Sequence, residues 1–151
     1  MRRFCFAAAA VVFAAAAGCG DGLKRVPVQG KLTAGGQPLA GATVQFIPTA
    51  AVAGEGGIGR TEADGSFTLT GSRNGQKGVV PGQYKVRVSR LVARDGSALP
   101  PDAKQADNPG CRESLPAKYT SVDGSPLNAT VPDAGGALTI EIPEPVGGKK
   151  K

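Results

Sequence analysis

Apolar and polar residues alternate with period two along several short stretches of this chain. In VPVQGKLT (26–33), Val26, Val28 and Leu32 point one way while Gln29, Lys31 and Thr33 point the other, as in a strand with one buried face. ATVQFIP (42–48) places Ala42, Val44 and Phe46 inward, and Pro48 closes it because proline cannot donate to a ladder. AGGQPLAG lies between them, so the two segments are expected to form a hairpin. IGRTEADGSFTLTG reads as a second hairpin turning at Asp64-Gly65, with Phe67 and Leu69 alternating after it. The cleanest strand is VVPGQYKVRVSRL, with Tyr84, Val86 and Val88 toward a core and Lys85, Arg87 and Ser89 toward water. ALTIEIP repeats the rule with Leu138, Ile140 and Ile142 inside. A shorter strand is expected at Leu127, Ala129 and Val131, preceded by a packed Tyr119.

Two stretches break the rhythm. Residues 49–57 are rich in alanine and glycine and read as mobile, and residues 91–116 are polar, proline-broken and aperiodic. A loop of the second kind in a compact domain is either functional or disordered. About seven strands separated by turn signals make an all-β, antiparallel seven-stranded β-sandwich over residues 26–142 the economical architecture. Residues 143–151 are expected to be a basic flexible tail.

The start of the chain follows another pattern. Met1-Arg2-Arg3 is a short positive segment, and Phe4 to Ala17 is an uncharged run of fourteen residues, the layout of a secretory signal. As a helix such a run covers only about 21 Å, short of the roughly 30 Å hydrocarbon core of a bilayer. Ala16-Ala17-Gly18-Cys19 resembles the lipobox of bacterial lipoproteins. That resemblance implies a signal peptide over 1–18, a diacylglycerol thioether and an acylated amino group on Cys19, and a tether over 19–25. Alanine stands at position 16 where the motif more often has leucine. The alternative is an ordinary signal peptide cut after an Ala-x-Ala set, which leaves Cys19 as a thiol. Each buried methylene contributes about 0.8 kcal/mol, so two or three acyl chains hold a protein stably where one does not.

Composition narrows the partners. Glycine (23) and proline (12) are abundant in the 151 residues, which favours turns over long helices. The net charge of +6 suggests nucleic acid until the charges are located. Arg2 and Arg3 lie in the leader, Lys24 and Arg25 in the tether, and Lys149, Lys150 and Lys151 at the end; between Val26 and Gly148, eleven basic residues face eleven acidic ones. A neutral body lacks the footprint that phosphate backbones require, so no nucleic-acid partner is expected. The basic ends read as solvated tails, or as weak contacts with anionic lipid. Of three cysteines, Cys5 departs with the leader, Cys19 is the lipid site and Cys111 is left single. Were Cys19 unmodified, it could bridge to Cys111 or join two chains.

VQGKLTAGGQPLAGATVQFIP, TEADGSFTLTG and VVPGQYKVRV together resemble the carboxypeptidase regulatory-like, or transthyretin-like, β-sandwich family. With a lipobox ahead and LPAKYT behind, the chain is similar to lipoproteins abundant in planctomycete-type bacteria. The resemblance covers roughly 26–142. It implies a small prealbumin-like module displayed in the cell envelope, and it brings no catalytic residues.

The chain has no histidine, so Ser-His-Asp and Cys-His chemistry lack their base. Transthyretin-like hydrolases of a urate-derived ring also rely on histidine. Zinc would have one thiol and carboxylates, and no Asp-x-Asp-x-Asp-Gly calcium loop occurs. No cofactor, no metal site and no catalytic residue are therefore expected. Sugar stacking has few rings to use: Phe46, Phe67, Tyr84 and Tyr119. An isopeptide cross-link from Lys31 is disfavoured, since the last strand offers Glu141 and no asparagine. The expectation is a non-enzymatic envelope lipoprotein, anchored through Cys19 to a membrane, with the outer membrane as the favoured place and either its periplasmic or its surface face open. The alternative is a module that binds envelope glycan or a protein partner through 49–57 and 91–116.

Overall fold

A computed structural model describes residues 22–73, 75–100 and 103–146. Within them the chain is all-β, apart from one turn of helix, α1 (Ala117–Thr120), and a short 3-10 turn at Gln105–Asp107. The signal segment and Cys19 lie outside the described residues.

The first sheet is built on β1 (Val28–Ala34). Gly35 and Gly36 both take positive φ, 56° and 78°, which is the two-residue turn whose twist matches that of antiparallel strands. It returns the chain as β2 (Gln37–Pro38), pairing Ala34 with Gln37. The chain then crosses to the second sheet as β3 (Thr43–Pro48), which pairs with β4 (Gly57–Arg60) and with β7 (Gly82–Ser89). The expected hairpin of 26–33 with 42–48 is therefore not formed. The glycine pair uses β2 as the return strand, and β1 and β3 end in different sheets.

The second expected hairpin turns at Asp64-Gly65, where Glu62 N–H donates to Ser66 O at 2.8 Å. Its return strand divides at Leu69. β5 (Ser66–Thr68) pairs with β1, whereas β6 (Thr70–Gly71) rejoins β4. β10 (Asn128–Val131) adds to β7, giving the order β10-β7-β3-β4-β6 in the second sheet. β11 (Gly136–Ile142) adds to β1 in parallel, from Val28 opposite Gly136 to Ala34 opposite Ile142. This pair departs from an all-antiparallel plan. β8 (Leu91–Val92) and β9 (Arg112–Glu113) form a small separate ribbon. Among the described residues eleven strand segments stand where seven were anticipated: the increase comes from the break at Leu69 and from the two-residue β2, β8 and β9.

Both sheets turn their apolar faces onto one core. Val28 and Leu32 of β1, Val44 and Phe46 of β3, Val86 and Val88 of β7, and Ile142 of β11 are 0–1% exposed. The Phe46 ring lies 6.4 Å from Phe67 of the first sheet and 5.7 Å from Tyr84 of its own, both tilted, favourable arrangements for rings of this separation. Tyr84 satisfies its hydroxyl by donating to Val80 O. Lys31 and Glu141 point outward, Lys31 opposite Thr139 and Glu141 opposite Thr33.

The parallel β1–β11 pair sets the geometry that matters for function. Both strands start at one pole and finish at the other. The chain comes in through Val26, which bridges Val79, and Ile142 leads it out at the far end. At about 3.3 Å per residue, seven residues put these poles about 20 Å apart.

Candidate functional site

The far pole carries residues 91–100 and 103–116, where the loop anticipated folds back as an excursion and adds the β8–β9 ribbon and the 3-10 turn. Ala93 and Ser97 close a tight turn, with Ala93 N–H donating to Ser97 O at 2.9 Å, and Leu99 N–H returns to Leu91 O at 2.9 Å. Val92, Leu99 and Leu115 are buried. The Asp95 carboxylate accepts from both the Ser97 N–H and hydroxyl, at 2.9 and 2.6 Å, which holds its pKa below the ordinary value. Asp64 does the same with Ser66 at the neighbouring turn.

Glu113 fastens the excursion to the second sheet. Its Oε2 accepts from Ser89 Oγ at 2.6 Å, and its Oε1 accepts from the N–H groups of Arg90 and Leu115 at 2.8 and 3.1 Å. Arg90 spreads in turn to Ala40 O through Nε at 2.8 Å and to Ser114 Oγ through Nη1 at 3.4 Å. Burial lowers the Arg90 pKa, Glu113 opposes that shift and nearby Arg60 reinforces it. Arg60 itself donates to Leu99 O. Serine, carboxylate and arginine thus meet, but each Glu113 oxygen is already committed to holding the turn together. The chemistry on view is that of a clamp.

Beside it, residues 143–146 dock onto the fold, and the rest of the tail foreseen at 143–151 lies outside the described residues. Lys118 Nζ and the Tyr119 hydroxyl both donate to the Glu144 carboxylate, the former at 2.5 Å. Lys118 and Tyr119 lower the Glu144 pKa. Pro145 covers Gly35, and Val146 packs against the core. Tyr119 is buried as foreseen.

The concavities are open to solvent. One of about 660 Å³ lies across β11, β1 and β5 and is lined by Gln29, Lys31, Glu62, Thr68 and Thr139 among others. A smaller hollow of about 180 Å³ sits on the excursion between Arg94, Leu99, Asn108 and Cys111. Cys111 is half-buried and forms no disulfide among the described residues, with its Sγ 3.9 Å from Gln105 O. At 49–57, Thr49 N–H donates to Gln83 O and Val52 packs against the core, so the stretch foreseen as mobile is tied at several points. Glu55 accepts from the Arg73 N–H at 2.6 Å through Oε2, while its Oε1 is buried without a partner among the described residues.

Among the described residues, no group of three or more acidic, histidine or cysteine side chains is placed to hold a metal, and no helix is long and apolar enough to cross a membrane. Phe46, Phe67, Tyr84 and Tyr119 are all 1–3% exposed, so no ring of the described residues is available to stack on a sugar. Sequence reasoning did not foresee the Glu113 clamp; a glutamate after a run of prolines and glycines carries no periodic signal. No family model, no curated protein and no solved structure matches the chain.

Proposed function

We propose that the protein is a lipid-anchored envelope lipoprotein of bacteria whose transthyretin-like β-sandwich serves as a non-catalytic structural or interaction module. The observation that carries this reading is the order of segments in the sequence: a positive start, fourteen uncharged residues, small residues and Cys19, then a short polar tether before the first paired residue at Val26. A leader too short to span and a cysteine behind small residues fit processing and acylation better than a retained helix. The clamp chemistry at Glu113 and the absence of histidine support a non-enzymatic role.

Metabolic labelling with palmitate tests the anchor. The natural chain is expected to take up label and sediment with membranes, and Cys19→Ala to lose the label and appear in the soluble fraction. Label in both, or in neither, contradicts the anchor.

The excursion favours a second reading, a module that holds an envelope protein or glycan through 91–116, with 49–57 on the opposite pole as a lesser surface. Replacing residues 94–110 with a short glycine-serine link keeps Glu113 and its three hydrogen bonds. Loss of partner capture with fold and membrane attachment unchanged favours this reading; unchanged capture counts against it.

A further inference from the structure

The two poles differ in charge, and the parallel β1–β11 pair decides which of them an N-terminal anchor draws toward a bilayer. The near pole is formed by residues 22–27 and the described loop residues 49–56, 72–73, 75–81 and 132–135. Contacts join these segments: Val26 and Val79 exchange backbone hydrogen bonds, Gly54 lies against Leu23 and Val80, and Gly135 lies against Val26 and Pro27. Their charged side chains are Lys24, Arg25, Arg73 and Lys77 against Glu55 and Asp133. Glu55 is half-buried and its Oε2 accepts from the Arg73 backbone N–H, so the described near pole carries four cationic side chains against two carboxylates. Lys24, Arg73 and Lys77 are exposed.

The far pole mixes its charges. Lys118 donates to Glu144, Arg90 stands beside Glu113, and Arg94, Lys104 and Arg112 share the excursion with Asp95 and Asp107. The last described residue, Val146, also lies at that pole, next to Ala34 and Leu39. The terminal lysines 149–151 therefore follow from the end opposite the one that leads to Cys19.

We infer that the near pole is a membrane-facing surface that rests on anionic phospholipid headgroups through Lys24, Arg25, Arg73 and Lys77. The inference builds on the lipid anchor proposed above, which holds this pole within a few residues of the bilayer. Screening decides between the poles. The Debye length is about 8 Å at physiological ionic strength, so far-pole charges about 20 Å away feel almost nothing of the surface. Each lysine or arginine held at an anionic surface strengthens binding by about fivefold.

The test uses the full chain carrying Cys19→Ala, so that acyl chains do not mask the charge effect, mixed with vesicles of phosphatidylcholine alone or with phosphatidylglycerol added. Any apolar contribution of residues 4–17 is common to both vesicles and cancels in the comparison. Co-sedimentation is expected to rise with phosphatidylglycerol and to fall with salt. Lys24→Glu, Arg73→Glu and Lys77→Glu together are expected to cut the rise, any part due to Arg2, Arg3 and Lys149, Lys150 and Lys151 being common to all variants, while Arg94→Glu, Lys104→Glu and Arg112→Glu together leave it intact. Single Lys77→Gln is expected to weaken binding about fivefold. All six positions are exposed, and matching thermal unfolding of both triple variants secures the comparison. Equal binding to the two vesicles, or equal loss from the two triple variants, overturns the inference. Palmitate labelling of the natural chain reads the anchor separately. A labelled chain without lipid-charge dependence sinks this surface alone, and an unlabelled chain that keeps the dependence sinks the anchor alone.

Discussion

At the pole where the chain joins the fold, backbone packs directly on backbone: Gly78 lies against the Val26 carbonyl and Gly135 against the Pro27 carbonyl, with no side chain between. At the opposite pole the chain is held by side chains, with Glu113 gripping three donors and Glu144 two. The first construction is rigid and intolerant of added atoms. The second depends on single carboxylates and responds to mutation and pH. Under the anchor proposed above, the rigid construction stands at the end nearest the tether, and the excursion with its carboxylate clamp stands at the other.

The division can be broken at either end. The largest effect is expected at the near pole. Gly78 has φ +81°, and a Cβ there would stand 2.3 Å from Val26 O. Gly78→Ala combines a left-handed backbone with a backbone clash, so a loss of about 3 kcal/mol is expected in chemical denaturation. Hydrogen exchange is expected to quicken at Val26 and Val79, which exchange backbone hydrogen bonds. Glu113→Ala comes next. It strips the acceptor from Ser89 Oγ and from the N–H groups of Arg90 and Leu115, at a cost of about 2 kcal/mol. Exchange is then expected to quicken at Arg90 and Leu115 and not at Val26. If the two variants loosen the same amides, the poles are not independent.

The smallest effect concerns pH. The folded Glu144 carboxyl is held below its ordinary value of 4.5 by Lys118 and Tyr119. A carboxyl with a depressed folded pKa contributes stability above its unfolded pKa and loses it as pH falls through the folded one. Lys118, raised above 10.5 chiefly by Glu144, contributes below its unfolded pKa and loses that as pH rises through the folded one. Glu144→Gln is therefore expected to lower the melting temperature slightly at neutral pH, with the gap closing in acid below the carboxylate range. A gap that persists in acid contradicts the ionic latch. The pair is exposed, so the effect stays small.

The sequence announced those parts of the fold that repeat locally. Tyr84, Val86 and Val88 alternate with Lys85, Arg87 and Ser89, and β7 buries the first set; Arg87 and Ser89 are only half-exposed, because they donate to Thr120 O and Glu113. Ile140 and Ile142 likewise turn inward from β11. What the pattern could not carry was partnership. Val28 and Gly136 are far apart in sequence, and nothing local says that their strands run parallel. The strand at 66–71 looks continuous, yet Leu69, with its N–H donating to Val28 O, marks where it passes from one sheet to the other. At the candidate site the hidden element was Glu113, whose effect comes from where its two oxygens land, a matter of tertiary position alone.

Intact-mass analysis of the mature protein purified from its native membrane tests the central claim most directly. The account predicts a chain that begins at Cys19 and is heavier than its residues by a diacylglyceryl group and an amide-linked acyl chain. A mass equal to unmodified residues, or a chain beginning at another residue, would contradict it.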